Sequence, residues 1–228
     1  MDKLILQDIK KSYGNVKVLD ELSICLDING IVGILGLNGS GKTTLFNILG
    51  GLEKNYSGFI LPDNYTDFIY MPTKNIMPIN YNIKNALDFY SAFMNNFDIM
   101  KAIEELEKAK INLNKRIINL SSGMQRQVIF ILTMCTDAKV YLLDEPLTNL
   151  DINFREYIVN FLIEQSVNQK LFLIATHEIK EFENLFNKFI LLKNGKFSKI
   201  YDSETVRKES GLSIEEYYRS ICNDKENN

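Results

Sequence analysis

A glycine-rich segment directly after a short apolar run is the feature that most restricts the fold of this chain. The run is Ile31–Leu35 (IVGIL), which is typical of a buried strand. Residues 36–43 then read GLNGSGKT, and a helical pattern follows from Thr43 to Leu49. A strand, a GxxxxGK(S/T) loop and a helix in this order predict a phosphate-binding loop in an α/β fold.

The residue types of this loop match the chemistry of phosphate binding. Its glycines let successive backbone N–H groups point inward, and the helix that follows adds the positive end of its dipole. Lys42 supplies an ammonium group for the β- and γ-phosphates, and the Thr43 hydroxyl can bind Mg²⁺. A chance glycine-rich turn would not explain the flanking strand and helix. We expect nucleotide phosphates to contact Gly36, Leu37, Asn38, Gly39, Ser40, Gly41, Lys42, Thr43 and Thr44.

A second strand ends in two acidic residues. Residues 140–146 read VYLLDEP, so Asp144 and Glu145 follow four strand residues. Ligands of open α/β sheets bind at the carboxyl ends of the strands. We expect Asp144 to hold Mg²⁺ and Glu145 to polarise the attacking water. The alternative is that both residues are solvated acids without a function at the end of a strand. The presence of the phosphate loop favours the functional interpretation.

The remaining patterns predict a mixed sheet flanked by helices. An antiparallel β subdomain comes first, and a helical subdomain is inserted between about 82 and 135. The expected strands are residues 3–12, 19–27, 68–71, 140–143 and 171–175, with a hairpin at 189–200 around Asn194-Gly195 and a last helix at 213–221.

Composition excludes several classes of protein. The 228 residues include 26 basic and 29 acidic side chains, one histidine and three cysteines. A histidine-rich metal site is impossible, and the near-neutral charge favours no nucleic-acid partner. The longest apolar runs, such as Val128–Met134, are far shorter than the roughly 20 residues that span a bilayer. The first residues have no apolar core of a secretion signal, so we expect a cytoplasmic protein.

Four further segments carry a resemblance to a known family. Residues 120–124 read LSSGM, residues 149–151 read NLD, and residues 175–178 read ATHE. They resemble the signature motif, the D-loop and the switch segment of the ATP-binding subunits of ABC transporters. Tyr13 stands where that family places an aromatic residue that stacks on adenine. The resemblance extends over nearly the whole chain.

The resemblance implies one ABC ATPase domain over residues 1–228. Its parts would be a catalytic core (1–72 and 136–202), a helical subdomain (73–135) and a helical tail (203–228). Two subunits would dimerise head to tail around two ATP molecules with Mg²⁺, and the dimer would act on a separate integral membrane transporter subunit at the inner face of the cell membrane. His177 would contact the γ-phosphate and orient the water with Glu145. Across the interface, the residues implied are Ser121, Ser122, Gly123 and Asp151.

The sequence departs from the motifs of this family at several positions. Thr73 stands where the family has a glutamine that reaches the metal, and no glutamine lies between Gln7 and Gln125. Thr73 could bind Mg²⁺ only if its loop moved inward, so we hypothesise weaker sensing of the γ-phosphate. Ser122 and Asn149 are milder departures. Met124 at the end of the signature resembles exporter-type ATPases, which favours export.

Several alternatives stay open at this point. The chain could be a soluble ABC-type ATPase that acts on a complex unrelated to transport, or a regulatory subunit with little turnover. The dimer could be a homodimer or a heterodimer. Residues 74–93 are expected to form the docking surface for the membrane subunit, although an ordinary amphipathic helix would have the same pattern. The sequence does not identify the transported substrate.

Overall fold

The computed structural model describes residues 2–63, 67–74, 77–78, 80–94, 96–166 and 169–223. The strands are β1 (Lys3–Tyr13), β2 (Val16–Asp27), β3 (Gly30–Leu35), β4 (Ser57–Leu61), β5 (Phe68–Met71), β6 (Val140–Asp144), β7 (Leu171–Thr176), β8 (Lys188–Lys193) and β9 (Lys196–Asp202). The helices are α1 (Lys42–Leu49), α2 (Ile83–Phe93), α3 (Ile99–Lys108), α4 (Ser122–Met134), α5 (Ile152–Gln165), α6 (Ile179–Phe182), α7 (Ser203–Ser210) and α8 (Ile214–Asn223). Among the helices in these ranges, none is long and apolar enough to cross a membrane.

The centre of the protein is a six-stranded mixed sheet with the order β5-β6-β7-β3-β8-β9. The first five strands in this order pair in parallel, and only β9 is antiparallel to its neighbour. Every residue of β3, β6 and β7 is buried. Parallel strands covered on both faces require continuous apolar runs, which is why these strands were visible in the sequence. The predicted α/β fold is therefore confirmed.

Each face of this sheet packs in its own hydrophobic core. Residues of β3 alternate between the two cores, since side chains of a strand point to opposite faces in turn. Ile31 and Leu35 belong to the core that also contains residues of α2 to α5, whereas Val32 and Ile34 belong to the core that contains residues of α1, β1 and β2. The sheet thus joins the helical segment to the rest of the chain through side chains of the same strand.

A smaller antiparallel sheet has the order β2-β1-β4. Strands β1 and β2 match the alternating patterns of the sequence. Strand β4 was not predicted, because it is short, contains Gly58 and exposes Ser57, Phe59 and Leu61 to solvent. It pairs with β1 in a register that places Phe59 opposite Gln7.

Within the described residues, the three α-helices between β5 and β6 all begin at capping side chains. Asn82, Asp98 and Ser121 accept hydrogen bonds from the backbone N–H three residues later, at 2.7, 2.9 and 3.2 Å. Such caps satisfy donors that have no partner inside the helix. The helix predicted to begin near Ser121 is α4.

The C-terminal elements largely follow the sequence patterns. Asn194 and Gly195 both have positive φ and join β8 to β9, as the hairpin prediction required. Ser213 and Glu216 form the expected reciprocal cap of α8, with N–H to oxygen distances of 2.9 and 3.2 Å. Helix α7 was not predicted separately from the tail. Residues 224–228 of the predicted tail lie outside the described part of the chain.

We expect Phe130→Ala to destabilise the protein by about 3–5 kcal/mol, since the removal of a large buried ring would leave a cavity. Phe130 lies on α4, is fully buried and meets Phe154, Tyr157 and Phe161 of α5 edge-on. Urea denaturation would measure the loss. The control is Phe59→Ala, which removes a ring that is 73% exposed and should change stability by only about 0.5 kcal/mol. Equal losses in the two variants would contradict this account of the core.

Candidate active site

The carboxyl ends of four parallel strands meet at one edge of the main sheet. Strand β3 leads into the phosphate loop, β6 into Glu145, β7 into His177 and β5 toward Thr73. A cleft of about 260 Å³ lies at this edge. It is lined by Val18, Asn38, Gly39, Gly41, Lys42, Thr43, Thr44, Thr73, Asp144 and Glu145. The structure therefore brings together the predicted phosphate loop, both predicted carboxylates and Thr73.

Two glycines of the loop are required by close packing. A Cβ atom at Gly36 would lie 2.5 Å from the carbonyl oxygen of Leu192, and one at Gly41 would lie 2.7 Å from Cδ2 of Leu19. Gly41 also has a φ of 107°, which disfavours a side chain, and it immediately precedes α1. The tight curl points the beginning of α1 into the cleft, where its free N–H groups suit an anion.

Lys42 is buried at the first position of α1. Its Nζ donates to the carbonyl oxygens of Gly36 at 2.7 Å and Leu37 at 3.2 Å. Burial lowers the pKa of Lys42, while Glu145 and Asp144 oppose this shift by favouring the ammonium form. The side chain thus lies against the loop with both carboxylates close enough to affect its charge.

Asp144 connects the end of β6 to the phosphate loop. Its Oδ2 accepts a hydrogen bond from the Thr43 hydroxyl at 2.8 Å and a longer one from the Tyr70 hydroxyl at 3.4 Å. Burial raises the pKa of the Asp144 carboxyl, and the nearby hydroxyls of Thr43 and Thr73 oppose this rise. The carboxylate is therefore held in place but poorly solvated.

Glu145 lies beside the end of β7. Its Oε1 is 2.8 Å from Nδ1 of His177, and its Oε2 accepts from the Thr176 hydroxyl at 3.1 Å and from the His177 N–H at 3.3 Å. The side chain of Glu145 is only 11% exposed, whereas that of His177 is 52% exposed. The predicted base and the predicted switch histidine are therefore in direct contact, with the histidine toward solvent.

The donor atoms of the cleft suit a nucleotide with Mg²⁺. Across the described residues, the buried Asp144 Oδ1, which lies in the cleft lining, makes no hydrogen bond. Buried polar atoms are normally paired, so this atom is available to a ligand. Mg²⁺ prefers oxygen ligands such as the Thr43 hydroxyl and the Asp144 carboxylate.

The predicted signature residues lie apart from this cleft. Ser121 caps α4, and Ser121 and Ser122 are exposed. A Cβ atom at Gly123 would lie 2.8 Å from the carbonyl oxygen of Asn149, so α4 packs closely on the segment before α5. Asp151 caps α5 and also accepts a hydrogen bond from Gln127 of α4 at 3.2 Å. These residues form one surface that does not contribute to the lining of the cleft in the same subunit.

Tyr13 is held in place at the end of β1. Its ring is 48% exposed, and its hydroxyl donates to Glu53 at 3.3 Å. The Nζ of the buried Lys11 lies 4.6 Å from the ring centroid and 2.8 Å from Glu53. Lys11 and Glu53 were not predicted from the sequence. They leave one face of the Tyr13 ring available, close to the strand that contributes Val18 to the cleft.

Comparisons with known proteins identify the family. The ABC transporter family model matches residues 19–148. An uncharacterized ABC transporter ATP-binding protein of Methanocaldococcus jannaschii is 31% identical over 88% of this chain and 79% of that protein. The zinc import ATP-binding protein ZnuC of Rickettsia conorii is 31% identical over 77% of each chain. A solved structure titled as the ATP binding subunit of an ABC transporter has a TM-score of 0.84, with 22% identity over 96% of this chain and 99% of that chain.

The chain belongs to the ABC transporter family. It is an ATP-binding subunit of that family, and its enzymatic activity is that of an ATPase. The fold neighbours share its mixed sheet and antiparallel β subdomain.

Two residues of this ABC transporter subunit that touch the site were not predicted from the sequence. Tyr70 reaches Asp144 from β5, and Arg126 reaches the same region from α4. Their partners lie 74 and 18 residues away in sequence. No local motif could have linked them to the carboxylates.

We expect Asp144→Asn to stabilise the metal-free protein at neutral pH. Because burial raises the pKa of Asp144, the folded protein binds this proton more tightly than the unfolded chain does. The free energy of unfolding therefore falls as pH rises from the unfolded pKa to the folded pKa, and Asn avoids this loss. Urea denaturation at several pH values would measure the advantage of the variant, which should shrink as pH is lowered.

The same variant should also be stabilised less than wild type by the binding of ATP with Mg²⁺. At about 100 times Kd, ligand binding would stabilise the wild-type protein by about 2.7 kcal/mol. Asp144→Asn should gain much less at that concentration. A metal-free variant less stable than wild type at neutral pH would contradict the role of burial.

Proposed function

We propose that this ATPase works as a dimer in which each ATP lies between the phosphate loop of one subunit and the signature of the other. The observation that supports this best is the separation of the two surfaces within one chain. The cleft has a phosphate loop, a metal carboxylate and a base, while the start of α4 presents the exposed Ser121 and Ser122 elsewhere. The first N–H groups of a helix have no intrahelical partner and suit an anion, so α4 can receive the γ-phosphate of the other subunit's ATP.

In this proposal the residues of the cleft divide the chemistry between them. Lys42 and the loop N–H groups bind the β- and γ-phosphates, and Thr43 with Asp144 would hold Mg²⁺. The metal would neutralise charge that develops on the phosphate oxygens. Glu145 accepts a proton from the attacking water, and its contacts with His177 and Thr176 keep its carboxylate at the cleft. His177 is exposed enough to contact the γ-phosphate as well.

Across the interface, Ser121, Ser122 and Gly123 would contact the γ-phosphate, and Asp151 would link the two sites. Asp151 already bonds to Gln127 of α4. This hydrogen bond joins α4 to the segment before α5 within the same subunit. The dimer could contain two copies of this chain or one copy with a second ATPase.

We propose that the ATPase acts from the cytoplasm on a separate membrane-spanning transporter subunit. The outer side of α2 supports this, because the rings of Phe89 and Phe93 are in contact at a centroid distance of 4.6 Å and Phe93 is 68% exposed. Both rings lie within residues 74–93, the segment expected to dock. Residues 75, 76 and 79 of that segment lie outside the described residues.

Export, which Met124 favours, is the direction we propose for transport. This choice depends on a single signature residue. The relatives include proteins named for import, such as ZnuC and the sulfate/thiosulfate protein CysA of Chlorella vulgaris, so transport itself has broader support than its direction. An action outside transport has no comparable support, since these relatives are named as transport proteins.

Two substitutions test the ATPase mechanism. Lys42→Ala should lose ATP binding, because it removes the cation of the phosphate loop. Glu145→Gln should keep ATP binding but release phosphate at least about 100-fold more slowly, because it removes the general base. Phosphate release, binding of a fluorescent ATP analogue and sedimentation would be measured together, and Glu145→Gln should sediment as an ATP-dependent dimer.

The control for both substitutions is Lys208→Ala, which removes an exposed lysine of α7 paired with Glu204. It should behave as wild type. Wild-type turnover in Lys42→Ala would refute the phosphate-loop assignment. A monomeric and fully active Glu145→Gln protein would refute the assignment of the base.

Tyr13 provides a separate test of base recognition. Tyr13→Ala should weaken ATP binding about tenfold, because stacking of a base on an aromatic ring contributes about 1–3 kcal/mol. Tyr13→Phe keeps the ring and should bind ATP within about twofold of wild type. The dissociation constant of inorganic tripolyphosphate, measured by competition, should be equal in all three proteins, since that ligand has no base. If Tyr13→Ala binds ATP normally, Tyr13 is not the adenine platform.

A further inference from the structure

One buried arginine lies between the signature helix and the two carboxylates of the cleft. Arg126 is in the second turn of α4 and is only 5% exposed. Its guanidinium donates to four main-chain carbonyl oxygens. The partners are Pro72, Thr73 at 3.2 Å, Asp144 at 2.5 Å and Glu145 at 2.8 Å.

These four carbonyls belong to two different segments. Pro72 and Thr73 follow β5, where the chain leaves the main sheet for the helical segment. Asp144 and Glu145 end β6, and Glu145 has a positive φ of 51° that turns its side chain out of the strand direction. One terminal nitrogen serves each segment. The guanidinium of Arg126 therefore fixes the distance between the two segments and their position relative to α4.

The charge of Arg126 is supported by its surroundings. Burial lowers the pKa of Arg126 to about 10, and Asp144, Glu145 and Tyr70 oppose this shift. The guanidinium therefore stays ionised at neutral pH. A buried cation is costly unless it is hydrogen-bonded and near opposite charge, and here both conditions involve the same two acidic residues.

We propose that Arg126 is a positioning residue that holds the Asp144 and Glu145 carboxylates in register with the signature helix. It is not among the residues that line the cleft. It acts through the main chain of both residues, so a displacement of α4 moves the carboxylates and the segment at Thr73 together. This proposal rests on the proposed ATPase mechanism, in which Asp144 holds Mg²⁺ and Glu145 accepts the proton.

The shape of the side chain makes the proposal testable. A planar guanidinium has enough donors for four carbonyls, lysine keeps the charge as a single point, and glutamine keeps two donors without the charge. If position and charge both matter, activity should decrease from Arg to Lys to Gln. Loss of groups that orient metal ligands typically reduces metal affinity or activity by about 10–100-fold.

The experiment compares wild type, Arg126→Lys and Arg126→Gln in the full chain. We expect Arg126→Gln to lower kcat by about tenfold or more, to raise the Mg²⁺ concentration for half-maximal activity, and to leave KM within about threefold. Arg126→Lys should be intermediate. Binding of fluorescent ADP without metal should stay within about twofold of wild type, because Arg126 does not contact the phosphate loop.

The matched control is Arg207→Gln. Arg207 of α7 also donates to a main-chain carbonyl, that of Glu183, but it lies outside the cleft. Its loss should reduce stability in urea without changing kcat or the Mg²⁺ dependence. If Arg126→Gln fails to fold, Arg126→Lys decides, and a wild-type kcat and Mg²⁺ dependence in that variant would overturn the proposal.

A second readout separates this proposal from the proposed function. The gain in ADP affinity on adding Mg²⁺ needs no hydrolysis, and it should be smaller in both Arg126 variants than in wild type. If wild type releases no phosphate, the ATPase mechanism fails while this binding measurement still tests Arg126. An unchanged gain in both variants would mean that Arg126 only stabilises the fold.

Discussion

The hydrogen bond between Thr43 and Asp144 joins the two parts of the site, the phosphate loop with α1 and the end of β6. The rest of the site is arranged around this connection. It connects the first turn of α1 to the end of β6 across 101 residues of sequence, at 2.8 Å. It is possible only because β3 and β6 run in the same direction in one sheet, separated by β7. The carboxyl ends of these strands then lie at one edge, where loops with different functions can meet. The parallel core is therefore the reason that the phosphate loop, Asp144 and Glu145 share a cleft.

The same cleft concentrates charge that the fold must accommodate. Two cations, Lys42 and Arg126, face Asp144 and Glu145 in a region largely closed to water. Burial lowers the pKa of both cations and raises the pKa of Asp144, so burial shifts each group toward its neutral form. Their mutual attraction opposes these shifts. Buried charges of this kind cost stability, and their concentration in one cleft is typical of a functional site.

The sequence predicted the central strands and the phosphate loop because each has a local signal. Buried parallel strands are continuous apolar runs, and the loop between β3 and α1 requires glycine at fixed positions. Strand β4 had no such signal, since its alternate residues, including Phe59, face solvent. Lys11 and Glu53 were missed for a different reason. Their importance lies in contacts with Tyr13, and nothing in the residues next to them in sequence indicates those contacts.

Thr73 illustrates how a main-chain contact changes the interpretation of a side chain. From the sequence, threonine at this position suggested weaker sensing of the γ-phosphate, because its hydroxyl is too short to replace a glutamine amide. In the structure the side chain of Thr73 lines the cleft, and its carbonyl oxygen is bound by Arg126. That bond does not depend on which side chain stands at position 73. The hydroxyl of Thr73 also lies near the Asp144 carboxyl and opposes the rise of its pKa, and the attachment of this segment to Asp144 and Glu145 through Arg126 is kept.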